Sequence, residues 1–361
     1  MTTEKAPSPP REPPTSGFEV LDSKYLLEEE TFSWYDPEAF YPVRIGEIFQ
    51  SKYQVLGKLG YGSVSTAWLC RDLIDHEYVA LKVFISKHRQ AQNEEKVYKH
   101  LHSIKTSHPG AKGIRFLHDQ FQLPGKYGPH ECLVHEPLGL TLKDIREMNI
   151  QEGNIMVGIE DDAIFKAFEE EEWTEPSLRK LHGDRIIYAT RQVDIPDNPS
   201  HAVLCDFGDA QFGEETYIGE VMPDLYRAPE IVLGIPWNEK IDIWSVGLMV
   251  WDLFEGKHMF TERLPNRDAS APAHIARMIA LMGPPPKDLL KRGQFSAMFF
   301  DADGNFTPDI QITQTSLEKE EENLEGEEKI IFLQFLRKMV QWVPEGRKSA
   351  KELMEDPWLV F

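Results

Sequence analysis

Three kinds of residue or pattern are scarce in this 361-residue chain, and each scarcity excludes something. Cysteine occurs only at Cys70, Cys132 and Cys205. An odd, widely spaced set with apolar neighbours predicts buried thiols in a reducing compartment, not a disulfide framework or a metal cluster. Long hydrophobic runs are missing too. The longest, Ile241 to Phe254, is broken by Asp242 and Asp252 and falls short of the ~20 residues that span a bilayer, so no membrane partner is expected. Basic charge is outweighed, 39 Lys and Arg against 60 Asp and Glu, for a net charge of −21. That balance argues against direct nucleic-acid binding, which relies on cations neutralising phosphates, and favours basic partners. The acidic runs Glu169 to Glu172 and Glu318 to Glu328 are expected to be solvated faces or loops. Residues 1–17, rich in Pro, Ser, Thr and charge, lack the apolar centre of a secretory signal. The expectation is a soluble intracellular protein, cytoplasmic and/or nuclear, and a monomer.

What is present suggests an α+β chain of two lobes. Residues 1–40 read as a disordered or extended arm. Residues 41–138 are rich in β-branched and aromatic positions with Gly breaks, and contain one helical stretch, Ala91 to His102. This predicts an antiparallel sheet with a single helix. Over residues 139–361 the periodicity becomes helical in Ile241 to Phe254, Ala273 to Met282, Lys329 to Trp342 and Lys348 to Met354. The turn Glu136-Pro137-Leu138-Gly139 lies between the two patterns, and an acidic insert is expected at about 160–200.

Three motifs carry chemistry. Leu59-Gly60-Tyr61-Gly62-Ser63-Val64-Ser65-Thr66-Ala67 joins two apolar strands. Glycine there lets backbone amides come close to phosphate oxygens. The next strand, Val79-Ala80-Leu81-Lys82, carries a lysine that needs an anionic partner, because an unpaired buried charge is costly. Glu94 on the predicted helix is the first candidate and its neighbour Glu95 the second. In Leu204-Cys205-Asp206-Phe207-Gly208 an apolar strand runs into a carboxylate suited to hold a divalent cation against nucleotide phosphates. Arg227-Ala228-Pro229-Glu230, the apolar Ile241-Asp242-Ile243-Trp244-Ser245-Val246-Gly247 and Trp342-Val343-Pro344-Glu345-Gly346-Arg347 follow. The second of these is apolar nearly all round and is expected to be a fully buried helix, its aspartate hydrogen-bonded.

In this order the set resembles eukaryotic Ser/Thr protein kinases over roughly Gly46 to Phe361. Within them it resembles the SR-protein kinase family, on Tyr41 to Phe49, Lys58-Leu59-Gly60-Tyr61-Gly62, Ser65-Thr66-Ala67-Trp68 and His130 to Gly139. The resemblance implies a bilobal fold and ATP with Mg²⁺. Leu59, Gly60, Gly62, Ala67, Ala80, Glu136 and Leu138 would surround the nucleotide, Lys82 and Glu94 align its phosphates, and Asn154 and Asp206 hold the metal. Glu230 would pair with Arg347, and Asp242 would grip the catalytic loop. Implied substrates are basic Arg/Ser-rich proteins of mRNA splicing.

Several positions depart from the family. His135 takes the gatekeeper place behind the base, and no arginine-rich substrate signature is recognisable in Gln211 to Asp224. The largest departure is a gap. Asn154 follows Glu136 by only eighteen positions, too few for the expected helix and catalytic aspartate. Asn149 stands where that aspartate belongs, after Glu147-Met148 in place of His-Arg or His-Thr, and Gln151 replaces a common lysine. Asparagine accepts no proton at neutral pH, and a positioned base is worth roughly 10²–10⁴ in rate. Intact motifs on both sides suggest one omitted segment in a kinase, and a pseudokinase that binds nucleotide or basic peptides is the alternative. Loss of the helix is expected to destabilise the large lobe.

Overall fold

A computed structural model describes residues 6–141, 154–194, 200–212, 216–260 and 270–360. Described residues up to 141 and from 154 to 211 form one unit, and those from 212 onward a second.

The first unit is built on a six-stranded antiparallel sheet in the order β2-β3-β4-β5-β7-β6, made of β2 (Ile48–Phe49), β3 (Tyr53–Gly62), β4 (Ser65–Asp72), β5 (Tyr78–Phe84), β6 (Leu117–Leu123) and β7 (His130–His135). Short hairpins join most neighbours, and the register sets Ala67 opposite Lys82 and Ala80 opposite His135. The buried run from Tyr53 to Lys58 shows that both sheet faces are covered. On one side lies α1 (Arg89–Ser103), capped by the His88 side chain, which accepts from the Gln90 amide. Its Ala91, Glu94, Val97 and Tyr98, at i, i+3, i+6 and i+7, form the stripe of a helix with one buried face.

A smaller antiparallel sheet joins β8 (Leu138–Thr141), β9 (Ile155–Gly158) and β12 (Ala202–Leu204). The insert between β9 and β12 folds as α2 (Ala163–Thr174) and a hairpin of β10 (Arg179–His182) with β11 (Arg185–Tyr188). Phe165 and Phe168 of α2 pack with Leu56 and Leu69 of the large sheet. Gly57 makes room for this: a Cβ there would stand 2.7 Å from the Phe168 ring. Through these contacts the sheet-side unit reaches beyond the 138/139 boundary read from the sequence.

The N-terminal arm is extended and docked. Its β1 (Val20–Leu21) pairs in parallel with Arg179 and Lys180 of β10. The Lys58 ammonium, with no exposed surface, lies 2.7 Å from Glu28 and 2.5 Å from Glu29, and the Lys180 ammonium is 2.8 Å from Glu30. Disorder of residues 6–17 is therefore corrected, and solvation of the acidic runs holds for most of their residues but not for Glu169, Glu172 and Glu321. Glu169 and Glu172 are buried because Arg11, Arg71 and Tyr78 partner the first and Arg191, Arg179 and Ser177 the second. Glu321, in the later run, is buried against Lys329.

The second unit is helical, with α3 (Pro229–Leu233), α4 (Lys240–Glu255), α5 (Ala271–Met282) and α6 (Gly326–Arg337) among its helices. One apolar cluster holds it together, with Trp244, Trp251, Ile275, Met278, Phe332 and Leu336 at its centre. Each such side chain stabilises by about 1.5–3 kcal/mol on burial. Gly247 lets α4 approach Met339 and Val340, whose side chains lie 2.9 and 2.8 Å from where its Cβ would be. The expectation that α4 is buried all round is corrected. Asp242, Val246 and Leu253 share one stripe of the helix that is exposed in part, while burial still raises the Asp242 pKa above the ordinary carboxylate value; the loop it was expected to grip lies outside the described residues.

Candidate active site

The site begins with an ion pair inside the first unit. Strand β5 directs Lys82 to the side of the sheet where α1 packs, and its ammonium donates to Glu94 Oε2 at 2.8 Å. Glu95, one residue along the helix, points elsewhere and pairs with Lys99. The same ammonium reaches Asp206 Oδ1 at 3.1 Å. Three charges in a largely buried cluster shift one another. Burial works against the Lys82 cation, but Glu94 and Asp206 more than offset it, so its pKa lies above the ordinary value. Burial raises Glu94, with Lys82 opposing. Burial also disfavours the Asp206 carboxylate, yet Lys82 and the Gly208 amide hold its pKa below the ordinary value.

Asp206 is placed by its backbone. It adopts φ +61°, a left-handed conformation that is rare outside glycine and turns the chain sharply as it leaves β12. Asn154 is its neighbour in space, because β9 and β12 pair Ile155 with Leu204 and the Cys205 amide donates to the Asn154 carbonyl at 2.8 Å. The side chain of Asn154 is exposed, and that of Asp206 is half exposed.

Helix α1 also holds the segment after Asp206 in place. The Asn93 amide faces the carbonyls of Ala210 at 2.8 Å, Gly208 at 3.0 Å and Phe207 at 3.4 Å, and Gln90 donates to Asp209 at 2.7 Å. Sequence reasoning passed over Asn93. Its position beside Glu94, on the same helical turn, was the available signal.

Of the positions expected around a base, Ala80 and Leu138 are buried, while Leu59 and Ala67 are partly so. Leu59 packs against the cluster that α2 forms with the sheet. Open space lies where a Cβ of Gly60 would be, and only Ser65 comes within 4 Å of one at Gly62, so both leave room for an oxyanion to approach the main chain. The Glu136 carbonyl accepts from Arg115 Nη2 at 2.8 Å and Nε at 3.3 Å. Behind these residues the His135 imidazole is buried and held well below its ordinary pKa by that burial, hence neutral. Its Nδ1 donates to the Phe116 carbonyl at 2.9 Å, leaving Nε2 without a partner among the described residues. Tyr98, 4.9 Å away between ring centroids, also has a hydroxyl without a partner among the described residues.

Among the described residues no cluster of three or more His, Cys, Asp or Glu could hold a metal alone. One carboxylate and one amide at adjacent strand ends suit Mg²⁺, which keeps waters and binds mainly through phosphate oxygens. Asn149 lies outside the described residues. In the second unit Glu230 and Arg347 form a buried bidentate pair, 2.7 Å at both contacts.

A lysine bridging a helix glutamate and the aspartate of Asp-Phe-Gly, beneath a glycine-rich hairpin, defines a protein kinase. The fold agrees. A crystal structure of a kinase domain superimposes with a TM-score of 0.66 over 90% of this chain and all of that one, at 20% identity. The protein kinase domain family matches residues 181–359. A serine/threonine protein kinase of Aspergillus fumigatus is 42% identical over 383 positions, covering 99% of this chain and 96% of the relative. The serine/threonine-protein kinase SRPK of Physarum polycephalum is 25% identical, with 92% and 91% covered. The chain belongs to the serine/threonine protein kinases.

Proposed function

We infer that the first unit binds Mg-ATP and that this chain descends from an enzyme transferring the γ-phosphate to Ser or Thr of basic, Arg/Ser-rich proteins. The observation that carries this is Lys82 held between Glu94 and Asp206. Lys82 would meet the nucleotide phosphates, Asn154 and Asp206 would hold Mg²⁺, and the open faces of Gly60 and Gly62 would let backbone amides approach the phosphates. The metal, when bound, supplies charge neutralisation on the phosphates. The likeness to SRPK of Physarum supports the Arg/Ser reading, as does the net charge of −21.

Transfer by this chain as it stands is expected to be impaired, because Asn149 occupies the place of the base. Two observations support an omitted segment over gradual loss. The span matched to the Aspergillus kinase, 383 positions, is longer than these 361 residues, so that relative carries residues this chain lacks. The exposed stripe on α4 at Val246 and Leu253 is what the loss of a packing helix would leave. The test inserts a helix-length segment ending in His-Thr-Asp before Ile150 and follows phosphate transfer to an Arg/Ser peptide. A gain on the order of 10²–10⁴ supports the enzyme reading. No gain, with nucleotide still bound, leaves a binding module for nucleotide or basic peptide.

A further inference from the structure

The arm contains a short segment, Ser8-Pro9-Pro10-Arg11-Glu12-Pro13, seated on the first unit by contacts that nucleotide chemistry does not use. Two kinds of reading are combined there. The buried Gln54 side chain accepts from the Arg11 amide at 3.0 Å and donates to the Arg11 carbonyl at 2.8 Å, so it grips the main chain whatever the side chain. Arg71 donates to the Pro9 carbonyl at 2.9 Å and the Trp173 indole to the Glu12 carbonyl at 2.8 Å, extending that grip on both sides. The Arg11 side chain makes contacts of its own. Its guanidinium lies 3.1 Å from Glu169, 2.6 Å from Glu170 and 4.9 Å from the centre of the Trp173 ring. Two carboxylates and an aromatic face suit a planar, forked cation better than a lysine ammonium. Pro13 sits over Gly46, where a Cβ would come within 2.6 Å of its ring, so the floor is cut to fit.

No buried apolar side chain ties this segment down. The buried hydrophobic core of the chain begins at Phe40, and between residues 8 and 13 every side chain is exposed or only partly covered. Main-chain hydrogen bonds give such a site affinity, and side-chain contacts give it specificity. We propose that the surface formed by Gln54, Arg71, Glu169, Glu170, Trp173 and Gly46 is a docking groove for an extended, proline-flanked arginine segment of a partner protein, and that residues 8–13 are its exchangeable occupant in cis. A tethered segment competes at an effective concentration near millimolar, so the groove is masked until the arm is weakened or outcompeted.

The test uses the full chain without nucleotide, which keeps it independent of the Mg-ATP reading. A fluorescent peptide of Ser8 to Thr15 is titrated into wild type and Arg11→Ala and followed by anisotropy. Saturable binding at least about tenfold tighter to Arg11→Ala than to wild type is expected, because the cis competitor then keeps only its main-chain contacts. The same peptide with lysine for arginine should bind at least about tenfold more weakly, and with alanine not measurably. Adding Glu170→Lys, a change at an exposed side chain, should weaken the arginine peptide by a similar factor. The proposal is overturned if wild type and Arg11→Ala bind alike, if the arginine and alanine peptides bind alike, or if Glu170→Lys has no effect. If Arg11→Ala does not fold, Arg11→Lys keeps the charge, loses the fork, and is read in the same way.

Discussion

The two units bury charge differently. In the first, ionised side chains lie along seams where distant segments meet: Lys58 with Glu28 and Glu29, Lys180 with Glu30, Glu169 with Arg11, Glu172 with Arg191, and Lys82 with Glu94 and Asp206. In the second, one apolar cluster fills the interior, and the buried Glu230–Arg347 pair sits at its edge beside Trp244. A buried ion pair gives geometry more than net stability, since desolvation offsets much of the attraction. The first unit is accordingly specified piece by piece, each seam by its own partners. The second is specified by volume and burial, and its stability is shared among many side chains.

The largest effect expected from breaking this contrast is at the Glu230–Arg347 pair, buried on both sides. Arg347→Met leaves Glu230 buried and unpaired, at a cost of about 3–5 kcal/mol. Denaturant unfolding of the second unit should shift accordingly, and the double variant Glu230→Met with Arg347→Met should recover most of the loss. Failure of the double variant to recover would mean that the pair orders the unit and is not only tolerated within it.

Lys58→Met probes the first unit at a comparable point, with an expected cost of about 3 kcal/mol that stays local. Burial already pushes the Glu29 pKa up, with Lys58 opposing. Without the lysine the carboxyl rises further. A carboxyl whose folded pKa is raised stabilises relatively below that pKa and loses this as pH rises through it. The penalty should therefore be larger at neutral than at mildly acidic pH, and hydrogen exchange should rise over Glu28–Thr31 while the second unit is unchanged. A uniform loss in both units would break the distinction drawn between them.

The pH dependence of the second unit offers a smaller test. His274 is buried and donates through Nε2 to the Arg227 carbonyl at 2.8 Å, and burial lowers its pKa to about 4. With the folded pKa depressed, the unfolded chain takes up the proton first. Stability is full above the unfolded value of about 6.5, falls as pH drops from there to about 4, and then levels. The total is at most about 3 kcal/mol. His274→Gln should flatten the fall between those limits in urea titrations, and a fall that persists unchanged would assign it to other groups.

How far the sequence could be read follows the same division. Helices of the second unit were legible because their apolar residues recur at helical spacing within a single segment: Ile241 to Phe254 lies within α4, Lys240–Glu255. The strands around Lys82 and Asp206 were legible because each motif is local, and Glu94 could be named because one helix offers few candidates. The docked arm and the folded insert were not legible. Arg11 meets Glu169 across 158 positions and Lys180 meets Glu30 across 150, and no local pattern marks either partner. Composition alone made Glu169 and Glu172 appear solvated, because a carboxylate that will be buried against arginine looks the same in sequence as one that faces water. The partly exposed stripe on α4 was hidden for a related reason: an apolar helix does not reveal which of its faces lacks a neighbour.

The smallest effect expected lies on the surface of the second unit, and it separates charge at seams from charge in general. Arg337 on α6 lies 2.5 Å from Glu318, with about half of each side chain exposed. Solvent screens such a pair, and holding two long side chains together costs entropy, so Glu318→Ala should change stability by less than about 1 kcal/mol. The change should shrink further as salt is raised toward molar, where charges beyond a few ångströms no longer interact. Lys58→Met, with its charge removed from a site water does not reach, should be far less sensitive to salt over the same range. Equal salt sensitivity in the two variants would mean that solvent reaches the Lys58 seam, and that the first unit is held by something other than its buried pairs.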